Sequence, residues 1–140
     1  MLNSDPRLSL TILIVLAASL IAGCAKPVRP GFAVVNGEVR FDDTAISSGF
    51  IQFEPHDSKL PPESAPITAG RYSGIFRIGP SRVRISASRP SKKINPDTGQ
   101  PIEESFIPER YNTKTELSAD VVAERTNTFD FRLQSSGGKQ

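Results

Sequence analysis

Apolar and polar residues alternate with period two along most of this chain, the pattern of strands with one buried face. Val35, Gly37, Val39 and Phe41 share one face of a first predicted strand, with Asn36, Glu38 and Arg40 on the other. Asp42-Asp43 breaks the alternation and reads as a hairpin tip. A second strand runs from Phe50 to Glu54 with Ile51 and Phe53 inward, and Pro55 stops it. Residues 55–66 hold four Pro and read as a loop or sheet edge, because Pro cannot donate to a ladder. A short strand around Ile67 and a turn at Ala69-Gly70-Arg71 follow. Tyr72, Phe76 and Ile78 then share a face, Gly79-Pro80 signals a turn, and Val83, Ile85 and Ala87 point inward from a clean alternation. Residues 89–113 contain Pro90, Pro96, Pro101 and Pro108 without a sustained period, which predicts a long loop of functional or mobile character. Order returns with Leu117, Ala119 and Val121, then with Phe129, Phe131 and Leu133.

No mature segment has a convincing helical period. About seven strands with frequent turn signals predict an all-β fold, an antiparallel β-sandwich, over residues 32–134. Residues 135–140 read as a flexible tail.

Composition changes this picture at the N-terminus. Residues 1–23 hold 6 of the 9 Leu in the 140-residue chain, and the remainder is rich in Val, Ile, Phe and Thr. The apolar run over residues 8–23 suits a signal peptide and is short for a membrane span. It ends in Ile21-Ala22-Gly23-Cys24, which resembles the lipobox of bacterial lipoproteins. Cleavage between Gly23 and Cys24 would leave an acylated Cys24 as the new N-terminus. Several acyl chains at about 0.8 kcal/mol per buried CH₂ form a durable anchor. A plain secretory signal with an incidental Cys, or an uncleaved anchor, competes with this reading. The position of Cys24 directly after the small pair favours the lipoprotein, as does its being the only Cys. Ala25 stands where enteric-type bacteria use Asp for inner-membrane retention, which points to the outer membrane, facing the periplasm or cell surface. Residues 24–31 would then be the lipidated Cys and a short tether.

A single Cys excludes internal disulfides and Cys-based zinc sites. The charge balance, 17 Lys+Arg against 15 Asp+Glu, argues against a nucleic-acid partner. No spacing suits a metal or cofactor. The one His, His56, sits beside Asp57 in a Pro-rich loop and reads as a surface residue. Asn95, Asp97, Thr98, Gly99, Glu103 and Glu104 lack calcium-loop spacing and read as a solvated turn. Arg82, Arg84, Arg89, Lys92 and Lys93 form the one basic cluster, with two readings: an anionic surface contact near the anchor, or a solvated strand face.

Val35-Asn36-Gly37-Glu38-Val39 leads to Gly49-Phe50-Ile51-Gln52-Phe53-Glu54-Pro55, then Ala69-Gly70-Arg71-Tyr72, then Gly79-Pro80 and Arg82-Val83-Arg84-Ile85. In that order the motifs resemble the carboxypeptidase regulatory-like (transthyretin-like, prealbumin-like) sandwich over residues 33–133. Ile107-Pro108-Glu109-Arg110-Tyr111-Asn112 and Asn127-Thr128-Phe129-Asp130-Phe131-Arg132-Leu133 are similar to the version in small planctomycete-type envelope lipoproteins. Gly79-Pro80-Ser81 and Asp43-Thr44-Ala45-Ile46 depart from the family pattern at two turns. The resemblance implies a non-catalytic accessory or structural module and brings no active site. No cofactor is expected; the expected partner is an envelope protein, with a glycan as the alternative.

Overall fold

The computed structural model describes residues 28–136. Gly23, Cys24 and the rest of residues 1–27 lie outside the described residues, as do residues 137–140. The described chain is all-β apart from a single 3-10 turn at Glu109–Tyr111. Its strands are β1 (Phe32–Phe41), β2 (Thr44–Ala45), β3 (Ser48–Pro55), β4 (Glu63–Thr68), β5 (Arg71–Arg77) and β6 (Gly79–Ser86). They continue as β7 (Ser88–Ile94), β8 (Pro101–Ser105), β9 (Ser118–Val121), β10 (Asn127–Thr128) and β11 (Phe131–Leu133). Nine strands make one sheet with the order β10-β1-β5-β4-β3-β6-β9, and both β2 and β11 also pair with β1. The β7 and β8 strands form a separate two-stranded hairpin.

The sheet is curled, and its connections show why. One residue, Ile78, joins β5 to β6, although β4 and β3 lie between them in the ladder. Three ladder steps in a flat sheet would span about 14 Å. Two Cα steps reach at most about 7 Å. The sheet therefore folds back at the β4–β5 hairpin, whose ladder covers only Ile67↔Tyr72 and Thr68↔Arg71. Beyond it no pairing continues, although a Cβ on Gly74 would stand only 3.1 Å from the Ala65 methyl. Pro66, with no N–H to give, lies where that ladder ends.

The two tight hairpins follow their turn residues. Asp42 and Asp43 have φ of 46° and 61°, and Ala69 and Gly70 have 49° and 77°, as two-residue hairpin loops require. Asp42-Asp43 is thus the tip between β1 and β2.

The core lies inside the curl. Val35, Val39, Ile51, Phe53, Val83 and Ile85 are wholly buried, joined by Ile67, Phe76, Val121 and Leu133. Each such side chain contributes about 1.5–3 kcal/mol relative to exposure. The Phe53 and Phe76 rings meet at 4.3 Å between centroids. Two buried polar side chains brace the loops. Thr115 Oγ1 donates to the Val83 carbonyl at 2.7 Å and accepts from the Leu117 N–H at 3.1 Å. Asn127 Oδ1 accepts from the Val122 N–H at 2.9 Å, while its Nδ2 donates to the Val122 and Arg125 carbonyls.

Four expectations change. The strand containing Ile67 begins earlier, at Glu63, because β3 pairs with it as far as Phe53↔Glu63. Ile78 does not share the inward face of Tyr72 and Phe76; it is 36% exposed, since the chain turns there to enter β6. The final strands β10 and β11 run parallel to β1 rather than antiparallel. Parallel pairing needs a long crossover, and everything between β1 and β10 supplies it. Residues 89–113 are not one loop: they hold most of the β7–β8 hairpin and the 3-10 turn.

Candidate functional site

A hollow of about 570 Å³ lies between the β1–β2 turn and the base of the β7–β8 hairpin. Phe41, Ile46 and Phe106 form its apolar part, and Asp42, Thr44, Ser47, Ser48, Ser88 and Arg89 its polar rim. The Phe41 and Phe106 rings meet edge to face, 5.4 Å apart at 70°. The Arg89 guanidinium stands 5.3 Å over the Phe106 ring. Ile46 is buried beneath them. Asp42 is held in place from the C-terminal side: its Oδ1 accepts the Ser135 N–H at 2.9 Å, and this bond lowers its carboxyl pKa. Ser135, expected in a flexible tail, is therefore tied to the groove rim.

Local sequence explains this geometry. The Asp42-Asp43 turn carries β1 back as β2, which sets Phe41 beside residues 44–48. The hairpin returns Phe106 to the body, where its N–H donates to the Ala87 carbonyl at 3.3 Å. The hairpin itself has no buried residue, and Ile94 and Ile102 are 55% and 40% exposed. Its tip is the expected Asn-Pro-Asp-Thr-Gly turn, with the Asp97 N–H donating to Asn95 Oδ1 at 2.9 Å.

The basic residues divide among three places. Arg82 and Arg84 line a hollow with Glu54, Pro55, His56 and Ser58. Arg84 Nε is 3.3 Å from Glu54 Oε2, close enough for attraction, yet its N–H is not aligned on an acceptor. Arg89 stands at the Phe106 groove. Lys92 and Lys93 are on β7, where Lys93 Nζ is 3.1 Å from Glu104 Oε1. The β6 strand separates the Gly79 end from the hairpin by about 23 Å.

His56 is exposed after β3. Among the described residues no group of three or more His, Cys, Asp or Glu side chains could hold a metal. Tyr111 packs against the core, and its hydroxyl accepts the Gln134 N–H at 3.2 Å. The Phe41–Phe106 pair was not singled out by the sequence pattern. Phe41 is expected on the inward face of the first strand, but nothing in the pattern pairs it with Phe106.

No protein-family model matches this chain. No curated protein matches it. Among solved structures, a 9R-lipoxygenase from Cyanothece PCC8801 aligns with 88% of this chain and 20% of its own. The identity is 14% and the TM-score 0.38, a likeness that carries no argument about fold or activity.

Proposed function

We propose that the protein is a non-catalytic, lipid-anchored lipoprotein of the cell envelope whose β-sandwich docks a protein partner at the Phe41–Phe106 groove. The anchor rests on the Ile21-Ala22-Gly23-Cys24 sequence. The sandwich reading takes β10, β11, β1 and β5 as one leaf and β4, β3, β6 and β9 as the other. The fold-back at the β4–β5 hairpin, which the one-residue connection at Ile78 requires, supports it. The resemblance to carboxypeptidase regulatory-like domains rests on the sequence motifs and their order along the chain.

The observation that carries the docking role is the β7–β8 hairpin. It buries nothing of its own, shows Ile94 and Ile102 to solvent, and stands beside the groove. A two-stranded hairpin is marginal alone in water, and a partner would give it a surface to cover. Arg89 has no ion pair among the described residues and would meet a partner carboxylate. The alternative is a carbohydrate-binding module. The hydroxyls of Thr44, Ser47, Ser48 and Ser88 favour it. The edge-to-face, half-buried Phe41 and Phe106 disfavour it, because sugar stacking needs open ring faces.

The test is in-cell cross-linking from a photoreactive residue at position 94. A specific adduct that is lost in Arg89→Glu and retained in Phe50→Ser is the expected result. An adduct insensitive to Arg89→Glu, or retention on envelope polysaccharide that needs Phe106, counts against the protein partner. For the anchor, Cys24→Ala should abolish acyl labelling and release the protein from membranes.

A further inference from the structure

The end of the domain that carries the tether is fixed to the body, and this fixes what faces the membrane. The Ile78 N–H donates to the Gly31 carbonyl at 2.9 Å, and the Phe32 N–H donates to the Arg29 carbonyl at 3.2 Å. Two guanidinium groups stand over the Phe32 ring, Arg29 at 4.1 Å and Arg77 at 4.8 Å from its centroid. Arg77 is in turn 3.3 Å from Glu63. Val28 lines a hollow with Ala33 and residues 124–126, the turn that Asn127 holds from beneath. The chain is therefore bonded to the body from Gly31 onward, with Val28 half-buried beside residues 124–126.

Four residue steps separate Cys24 from Val28, a reach of at most about 14 Å. An acylated Cys24 sits at the lipid headgroups, a layer about 5–8 Å deep on each side of the hydrocarbon. We infer that the surface around Val28, Phe32, Ile78 and residues 124–126 lies against the headgroups of a phospholipid bilayer, with the Phe41–Phe106 groove at the opposite end. The inference rests on the lipid anchor proposed above. The β1 strand runs from the tether end at Phe32 to the groove at Phe41, about 30 Å. The hairpin with Arg89, Lys92 and Lys93 is at that far end, so these three residues do not meet the anchoring bilayer.

Tether length rather than charge sets this orientation. Arg29, Lys59, Arg77 and Arg125 at the tether end are offset to within one charge by Asp57, Glu63 and Glu124. Anionic lipid should therefore add little to the contact.

Cys24 is the only Cys, and acylation consumes its sulfur, so Ile78→Cys or Ile94→Cys supplies one free thiol for a fluorophore. Both positions are exposed, and neither change touches the core. The acylated protein is reconstituted in phosphatidylcholine vesicles containing a headgroup-depth spin-labelled lipid. Quenching should be several-fold stronger at position 78 than at 94. A flexible Gly/Ser insertion of about 10 residues between Pro27 and Val28 should shrink the difference. Equal quenching, or stronger quenching at 94, in protein whose mass shows the acyl chains would overturn the orientation while leaving the anchor standing. A mass without acyl chains would overturn the anchor, and the orientation with it.

Discussion

The Tyr72 hydroxyl donates a hydrogen bond to the Phe129 carbonyl at 2.8 Å, and Gly37 makes room for that carbonyl. A Cβ on Gly37 would fall 1.9 Å from the Phe129 oxygen and 3.0 Å from the Tyr72 ring. The clash is with backbone, so relief requires moving the C-terminal strands off β1. Gly37→Ala should cost at least about 3 kcal/mol in denaturant unfolding of the unacylated Cys24→Ser form. Tyr72→Phe keeps the ring and loses only the bond, which should cost about 1 kcal/mol. A Gly37→Ala protein as stable as its parent would show that this approach is looser than described.

The same phenol gives an alkaline prediction. Burial, with Asp130 nearby, pushes the Tyr72 pKa well above its ordinary value of 10.0. In that range the folded state holds a proton that the unfolded state has released, so stability falls as pH rises past 10.0. Tyr72→Phe should flatten this decline in urea titrations taken at increasing pH.

At the acid end, Asp42 is the group to follow. The Ser135 N–H lowers its pKa, so its contribution is present above the ordinary carboxylate value and fades as pH falls through the lowered one. Hydrogen exchange at the Ser135 amide, corrected for intrinsic rate, should lose protection over that window. Asp42→Asn should remove the pH dependence.

The inward register of β3 predicts opposite outcomes for neighbouring aromatics. Phe53 is wholly buried and Phe50 is 61% exposed. Phe53→Asp should abolish the cooperative thermal transition, because it strands a carboxylate in the core. Phe131→Asp should do the same. Phe50→Asp should shift stability by no more than about 0.5 kcal/mol. A cooperative melt for Phe53→Asp would defeat the register.

The β7–β8 hairpin should prove dispensable for folding. Replacing residues 91–103 by a short Gly-rich turn removes no buried side chain. The melting temperature should move by only a few degrees, while cross-linking to a partner from a photoreactive residue at position 44, on the groove rim, is lost. In the intact protein the hairpin amides should exchange faster than those of β3 and β6.

Legibility followed burial. Ile51, Phe53, Val83, Ile85 and Leu133 were readable because each alternates with polar neighbours and faces the core. The β7–β8 hairpin was not, because both its faces are wet and no periodicity marks it. Ile78 was misplaced because alternation carries no information about where a chain leaves one ladder for another. The parallel direction of β10 and β11 depends on pairing across most of the domain, which local pattern does not encode. At the groove, Arg89 was named for its charge, but its neighbour Phe106 lies far from Phe41 in sequence and only the fold brings them together.

The edge of β1 that receives Asn127 and Phe131 has a kinetic meaning. A chain made from its N-terminus produces β1 early and the strands that cover it almost last. Until then β1 offers unpaired N–H and C=O groups to any passing strand. Closing so long a loop is an entropic cost met before the pairing returns anything, which makes completion slow. Until the C-terminal strands dock, β1 thus stays paired on one edge only, and a chaperone would matter most in that interval.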